Sequence, residues 1–311
     1  MEGSAGAYHV PVMVEEAVGY LRPERGGTYF DGTVGGGGHA EAILERSETA
    51  RVIGVDRDPE ALEAAGRRLA RYGERVRLER GDFADAAAGG EGAFAGALLD
   101  LGLSSRHIDV RERGFTFREG SPLDMRMAGR AAVETPTAAD LLNRLPEREL
   151  ADLLRRYGEE RRAGRVARAV VERRRERPLE RSEDLVGVLE RAYGRPPRVK
   201  EKARIFQALR IAVNDELRSL ERALPALRER LEGEGTLVVL AYHSLEDRIV
   251  KRAFREWSRG CVCPPELPVC RCRGEPLGAV LTKRPERPST AEVERNPRAR
   301  SARLRAWRKA A

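Results

Sequence analysis

Asp31-Gly32-Thr33-Val34-Gly35-Gly36-Gly37-Gly38-His39, with Asp56 further along, is the stretch on which the reading of this chain turns. An apolar segment, Thr28–Asp31, precedes the glycines, and a helix-like segment, Glu41–Glu48, follows them. Glycines at such a turn let the backbone approach a ligand closely and adopt positive φ. The helix N-terminus beyond them favours a negative group such as a carboxylate or phosphate. Asp56 ends the next apolar segment, Arg51–Val55, the position from which a carboxylate accepts hydrogen bonds from two ribose hydroxyls. By itself the run leaves three readings open: a methyl-donor site, a nucleotide-cofactor site and a flexible turn. Gly35, Gly37 and Ala40 even satisfy the looser dinucleotide pattern G-x-G-x-x-A.

Working outward, three further apolar segments read as buried strands: Val76–Glu79, Ala97–Leu101 and Thr236–Tyr242. The first four strands alternate with helix-like stretches, including Pro59–Tyr72 and Ala84–Gly89, which predicts a parallel sheet with crossover helices. Asp31, Asp56 and Asp100 fall at or near strand ends, where open α/β sheets bind ligands. From Thr137 to Leu231 the pattern changes to helix after helix, with Asp140, Ser182 and Asn214 as caps or helix-surface residues. This reads as a helical domain inserted into an α/β domain. The expected boundaries are 1–110 and 216–311 for the α/β part and 111–215 for the insert. Ala279–Thr282 and Ala302–Trp307 are expected to finish the sheet as a terminal pair.

Two more features favour the methyl donor. Gly81-Asp82-Phe83 ends the third strand, where an acidic group with an aromatic neighbour can hold adenine; a helix N-cap beside a core phenylalanine is the alternative. Asp100-Leu101-Gly102-Leu103-Ser104-Ser105 ends the fourth strand, where methyltransferases of this architecture keep the loop facing the methyl acceptor. A nicotinamide-dependent oxidoreductase on the same fold is the rival reading, but no hydride-handling pair is evident. A third reading is an RNA-binding assembly factor with a vestigial site; Asp31, Asp56 and Asp100 argue against it.

Ten blocks in order make the chain resemble the ribosomal RNA small-subunit methyltransferase H family, also called MraW. They include His9-Val10-Pro11-Val12, the glycine run, Asp56-Arg57-Asp58-Pro59 and Leu99-Asp100-Leu101-Gly102-Leu103-Ser104-Ser105. Arg113-Gly114-Phe115-Thr116-Phe117, Pro122-Leu123-Asp124-Met125-Arg126-Met127 and Tyr157-Gly158-Glu159-Glu160-Arg161 follow. Phe206–Ile211, His243–Lys251 and Asn296–Ser301 close the series. The resemblance implies a Rossmann-like class I S-adenosylmethionine-dependent methyltransferase with an inserted all-helical domain. It implies methylation of the exocyclic N4 of a cytidine in 16S rRNA, position 1402 in standard rRNA numbering, within the small ribosomal subunit. By motif position it implies cofactor contacts at Gly37, Gly38, His39, Asp56, Phe83 and Asp100. His107 stands where the family usually has glutamine, and Val199-Lys200-Glu201-Lys202-Ala203-Arg204 stands where it typically reads Pro-Ala-Thr-Arg.

An exocyclic cytosine amine is a poor nucleophile, so transfer needs alignment with the donor and an acceptor for its proton. Asp100, Ser104 and Ser105 are the candidate catalytic residues. His243, Glu246 and Asp247 form a second polar cluster that faces the acceptor base or caps the next helix. Phe115 and Phe117 either stack on a base taken out of its stack or pack against the helical insert.

The 311 residues carry a formal charge of +8, which suits an anionic partner such as rRNA. Only five of the 58 basic residues are lysine. From Lys283 to Lys309 ten basic residues stand against three acidic ones, and Arg287, Arg295, Arg298, Arg300 and Arg303 are candidate phosphate contacts. From Arg148 to Arg181 twelve arginines alternate with seven acidic residues, which reads as a solvated ion-pair face. Cys261, Cys263, Cys270 and Cys272 are close enough in sequence to bind a structural zinc as four thiolates; disulfides and free thiols are the other readings. No basic n-region with an apolar stretch opens the chain and no segment reads as a membrane span, so a cytoplasmic location is expected.

Overall fold

The computed structural model describes residues 11–90, 92–261, 263 and 274–311. Along them run α1 (Val14–Leu21), β1 (Gly27–Asp31), α2 (Gly38–Glu45), β2 (Ala50–Asp56), α3 (Pro59–Leu69), β3 (Val76–Arg80), α4 (Phe83–Ala88) and β4 (Phe94–Asp100). Then come α5 (Ser105–Asp109), α6 (Ala138–Arg144), α7 (Glu147–Gly158), α8 (Ala163–Glu176), α9 (Ser182–Tyr193), α10 (Val199–Asn214) and α11 (Glu216–Arg230). β5 (Leu231–Ala241), α12 (Ser244–Trp257), β6 (Gly278–Val280), α13 (Thr290–Arg295) and β7 (Arg303–Lys309) complete the order. The chain divides into two compact units, one running to Gly102 and resuming at Leu217–Ala311, the other Leu103–Glu216.

The first unit is built on a seven-stranded sheet in the order β3-β2-β1-β4-β5-β7-β6. The first five pair in parallel, and β7 runs antiparallel between β5 and β6. This is the sheet of a class I S-adenosylmethionine-dependent methyltransferase, as the resemblance implies. β1, β4 and the second half of β5, in the middle of the sheet, are almost continuously apolar because both faces are covered, whereas β3 and β7 carry charged residues. Side chains alternate between the faces with the period of two that a strand imposes. Tyr29, Leu98, Val238 and Leu240 enter one cluster with residues of α1, α2 and α3. Phe30, Ala97, Leu99, Leu237 and Val239 enter the other with residues of α4, α11 and α12. β1 pairs with both β2 and β4, so the strand order reverses at β1 and the crevice beyond its carboxyl end is the switch point of the sheet.

Local differences from the sequence reading have local causes. α2 begins at Gly38, not Glu41, because Gly37 in the left-handed region ends the turn without a side-chain cap. α3 stops at Leu69, short of Tyr72, ahead of Gly73 at φ +54°. β5 starts at Leu231 and pairs there with Phe94, then shifts register before Gly96; its exposed Glu232, Gly233 and Glu234 hid this half of the strand. α1 buries only Ala17, Val18 and Leu21 and has no side-chain cap, which is too little pattern to read.

The second unit has its own core, in which Leu142, Leu154, Val166, Val170, Leu185, Leu189, Ile205 and Leu209 are fully buried. Each such side chain contributes about 1.5–3 kcal/mol relative to exposure. Thr137 and Asp140 form a reciprocal cap on α6, and the Thr137 hydroxyl holds the Asp140 carboxyl below its ordinary range. Ser182 opens α9 and donates its hydroxyl to the Arg118 carbonyl at 2.5 Å. Asn214 is not a cap. Its amide donates to the carbonyl of Met125 and accepts from the N–H of Met127, both at 2.8 Å, clasping a segment almost ninety residues away.

Candidate active site

Asp31 closes β1 and is 1% exposed. One carboxylate oxygen accepts the Thr33 N–H at 3.2 Å, and the other is buried without a hydrogen-bond partner. Burial pushes this carboxyl up to about 7; the Thr33 N–H opposes the rise, and the charges of Asp100 and Asp56 add to it. The turn that follows is pinned to both neighbouring strands. Gly32 N–H donates to the Leu98 carbonyl (3.0 Å) and Val34 N–H to the Val55 carbonyl (2.9 Å). Gly37, at φ +81°, then turns the chain into α2. A Cβ on Gly38 would lie 2.7 Å from Pro11 Cγ and 3.1 Å from the Arg68 guanidinium, so only glycine lets the helix start this close to the chain.

Asp56 buttresses the turn from β2. One of its oxygens accepts the Gly35 N–H and the other the Asp58 N–H, each at 2.9 Å. His39 is buried, and its Nε2–H donates to the Val12 carbonyl at 3.0 Å. In the neutral ring this leaves Nδ1 as an acceptor, 4.0 Å from an Asp100 oxygen. Phe83 opens α4, half-buried against the cluster under the sheet. The residue beside it bears on one open reading. Asp82 caps α4 through Ala84 N–H (2.6 Å), accepts the Ser219 hydroxyl (2.8 Å) and pairs with Arg57, so the helix-cap reading has its bonds.

Asp100 ends β4 with its N–H donated to the Thr33 hydroxyl at 2.6 Å and one oxygen accepting the Gly102 N–H at 3.2 Å. Tyr242, at the end of β5, hydrogen-bonds to the same carboxylate, and burial next to that charge holds the phenol well above its ordinary range. A Cβ on Gly102 would meet the Tyr242 ring at 2.8 Å, so the glycine makes room for this contact. Tyr242 was missed in the sequence; its place one residue before His243, at the carboxyl end of the strand beside β4, was the available signal. His243 and Glu246 form a capping box: Glu246 accepts the N–H groups of Tyr242 (2.8 Å) and His243 (3.2 Å) and is 2% exposed. Asp247 pairs with Arg305 at 2.7 Å and Arg303 at 3.3 Å. The capping reading of this cluster is the one these bonds favour.

Ser104, Ser105, His107, Phe115 and Phe117 belong to the second unit. Ser104 Oγ accepts the His107 N–H at 3.2 Å and lies 3.0 Å from His107 Nδ1. His107 Nε2 is 3.4 Å from the Met127 carbonyl, an acceptor, so Nε2 carries the ring proton and the serine hydroxyl donates to Nδ1. The side chain of Ser105 lies outside the described set. Phe115 sits 5.0 Å from the His107 ring, and Phe117 lies edge-on to Phe206 at 5.8 Å; both pack on the helical core.

Of the C-terminal arginines, Arg287, Arg295 and Arg300 are exposed, Arg298 is half-buried and Arg303 is engaged by Asp247. Cys261 is exposed and Cys263 half-buried, while Cys270 and Cys272 lie outside the described residues, so only half of the four-thiolate set is described. Among the described residues no helix is long and apolar enough to cross a membrane.

Residues 6–310 match the model of the MraW methylase family. A protein of Gemmatimonas aurantiaca named ribosomal RNA small subunit methyltransferase H is 52% identical over 314 residues, covering 99% of this chain and 97% of that protein. Proteins of the same name from Heliobacterium modesticaldum and Pelobacter propionicus are 50% and 49% identical, covering 97% and 98% of this chain and 98% and 99% of theirs.

Proposed function

The chain belongs to the MraW methylase family, and from that premise we propose that it methylates the exocyclic N4 of cytidine 1402, in standard numbering, of 16S rRNA in the small ribosomal subunit, with S-adenosylmethionine as donor. The observation that carries the reading is the glycine turn at the sheet's switch point, held by the carboxylates of Asp31 and Asp56 and by the Asp100 N–H on Thr33. A left-handed turn with no room for a Cβ, an aspartate bonded into that turn and a buried unpartnered carboxylate oxygen fit a cationic nucleoside. When bound, the donor supplies an electrophilic methyl on a sulfonium.

The protein's own residues do the rest. Gly37, Gly38 and His39 shape the backbone on which the donor rests, Asp56 accepts its ribose hydroxyls, and Phe83 flanks its adenine. Asp100 accepts a hydrogen bond from the amine, draws electron density onto nitrogen and takes the proton released on transfer. Tyr242 O–H and Gly102 N–H hold that carboxylate in place. Ser104 and Ser105 position the base, and His107 takes the cofactor contact that the resemblance assigns to a glutamine.

Unmethylated 30S subunits incubated with labelled S-adenosylmethionine are expected to take label at cytidine 1402 as N4-methylcytidine. No label in either 30S subunits or naked 16S rRNA overturns the proposal. Calorimetry is expected to show binding of S-adenosylhomocysteine and none of NAD, which separates it from a nicotinamide enzyme.

A further inference from the structure

We infer that the helical unit carries an RNA-backbone contact surface where the ends of α7, α8, α9 and α10 meet, with Arg161, Arg165, Arg198 and Lys200 as its phosphate contacts. The inference rests on the rRNA reading above and adds a place where that substrate is gripped.

One buried carboxylate ties these helix ends together. Glu160, 3% exposed, follows α7. It accepts the Tyr193 hydroxyl from the end of α9 and a guanidinium N–H of Arg204 from α10, both at 3.1 Å on the same oxygen. Its other oxygen accepts the Arg162 N–H at the entry to α8, at 2.9 Å. Gly158 lets α7 approach α10 so closely that a Cβ there would lie 3.0 Å from the Arg204 carbonyl oxygen. The guanidinium groups of Arg162 and Arg195 sit 5.6 and 5.8 Å from the centre of one Tyr193 ring. The two basic segments are therefore neighbours in space as well as close to one anchor.

Charge is concentrated here and left unneutralised. Residues 159–165 and 195–204 hold eight cationic side chains and three carboxylates. Glu160 is committed to Arg204, and Glu201 to Arg195, whose guanidinium holds that carboxyl down to about 2. Arg161, Arg165 and Lys200 are exposed, with no acidic partner among the described residues, and the exposed Arg198 has only Glu201 nearby, which Arg195 already engages. Four other arginines of the same unit are matched, Arg144 with Asp140, Arg155 with Asp152, Arg168 with Glu147 and Arg191 with Glu176, while Arg148, Arg156 and Arg175 are exposed singly. The ion-pair face read from the sequence holds at those four pairs, and what sets this end apart is the clustering of its cations about one anchor. The positive ends of α8 and α10 add to the potential. Such like charges repel until a polyanion neutralises them and its counterions are released. Arginine forks match phosphate oxygens in geometry as well as charge.

The test compares two variants that lose the same charge. R161Q/R165Q/R198Q/K200Q removes the proposed contacts, and R144Q/R155Q/R168Q/R191Q removes paired arginines of the same unit. Filter retention of unmethylated 30S subunits and of 16S rRNA is measured across a salt series. The first variant is expected to bind about tenfold more weakly, with a salt slope reduced by about 3, because each lost phosphate contact removes about 0.7–0.9. The second is expected to stay within about twofold, with its slope reduced by less than about 1. Equal effects in both variants, no effect in either, or a loss confined to retention of phosphatidylglycerol vesicles overturns the inference. Thermal melting reports the fold, and R161Q/K200Q repeats the measurement, at half the expected slope change, if the quadruple variant melts early. Methyl transfer by the unsubstituted chain is scored separately, so a failed activity reading is not mistaken for a failed surface.

Discussion

Asp31 makes the stability of the free protein depend on pH in the direction opposite to that of most aspartates. Its carboxyl ordinarily ionises near 3.8, but in the fold it keeps its proton up to about 7, chiefly because burial disfavours the charge. Between these values the folded chain holds a proton that the unfolded chain has released, so stability falls as pH rises, by about 1.4 kcal/mol per pH unit. Over the whole window this single group removes roughly 4 kcal/mol, all of it lost above about pH 7 and none below about pH 4. Asp31→Asn keeps an oxygen to accept the Thr33 N–H and removes the titration. Urea unfolding of both proteins at half-unit steps from pH 4.5 to 8 measures the difference. The advantage of the Asn variant is expected to grow with pH up to about 7 and then level off, to a plateau of several kcal/mol. A difference that stays flat with pH, or that shrinks as pH rises, refutes the burial argument. A saturating cationic donor should flatten the same difference by stabilising the ionised form.

Gly38→Ala places a methyl 2.7 Å from Pro11 and is expected to cost about 1–3 kcal/mol by overpacking and to weaken donor binding, read by melting and by calorimetry with S-adenosylhomocysteine. Tyr242→Phe removes the hydroxyl that holds Asp100; methyl transfer to 30S subunits is expected to fall about tenfold, from a loss of about 1.5 kcal/mol, with the melting temperature nearly unchanged. Asn214→Ala strips both clasp bonds to the Met125–Met127 segment and is expected to destabilise the helical unit by about 2–4 kcal/mol in chemical denaturation.

What could be read from the sequence alone was whatever repeats at short range. Strands in the middle of a sheet are apolar runs whatever lies above them, so β1 and β2 were legible to within a residue, as was β3 at the edge, while β4 was legible only from Ala97, three residues after its start at Phe94. The turn at Gly35–Gly38 was legible because positive φ and close approach select glycine locally. Aspartates at strand ends then marked the crevice without any knowledge of their contacts. Tertiary structure alone decided what each polar group is for, because its partners come from far along the chain. The sequence shows Asp82 beside Phe83 at a helix start, but only the fold shows that Ser219, 137 residues on, bonds its carboxylate. Tyr242 gained a role only when β5 paired beside β4 and brought it to Asp100. The alternating charges of the helical unit looked uniform in sequence, yet Glu160 gathers four helices and brings two basic segments together about one anchor. Periodicity encodes which face is buried, while hydrogen-bond partners and unbalanced charge are properties of the packed chain.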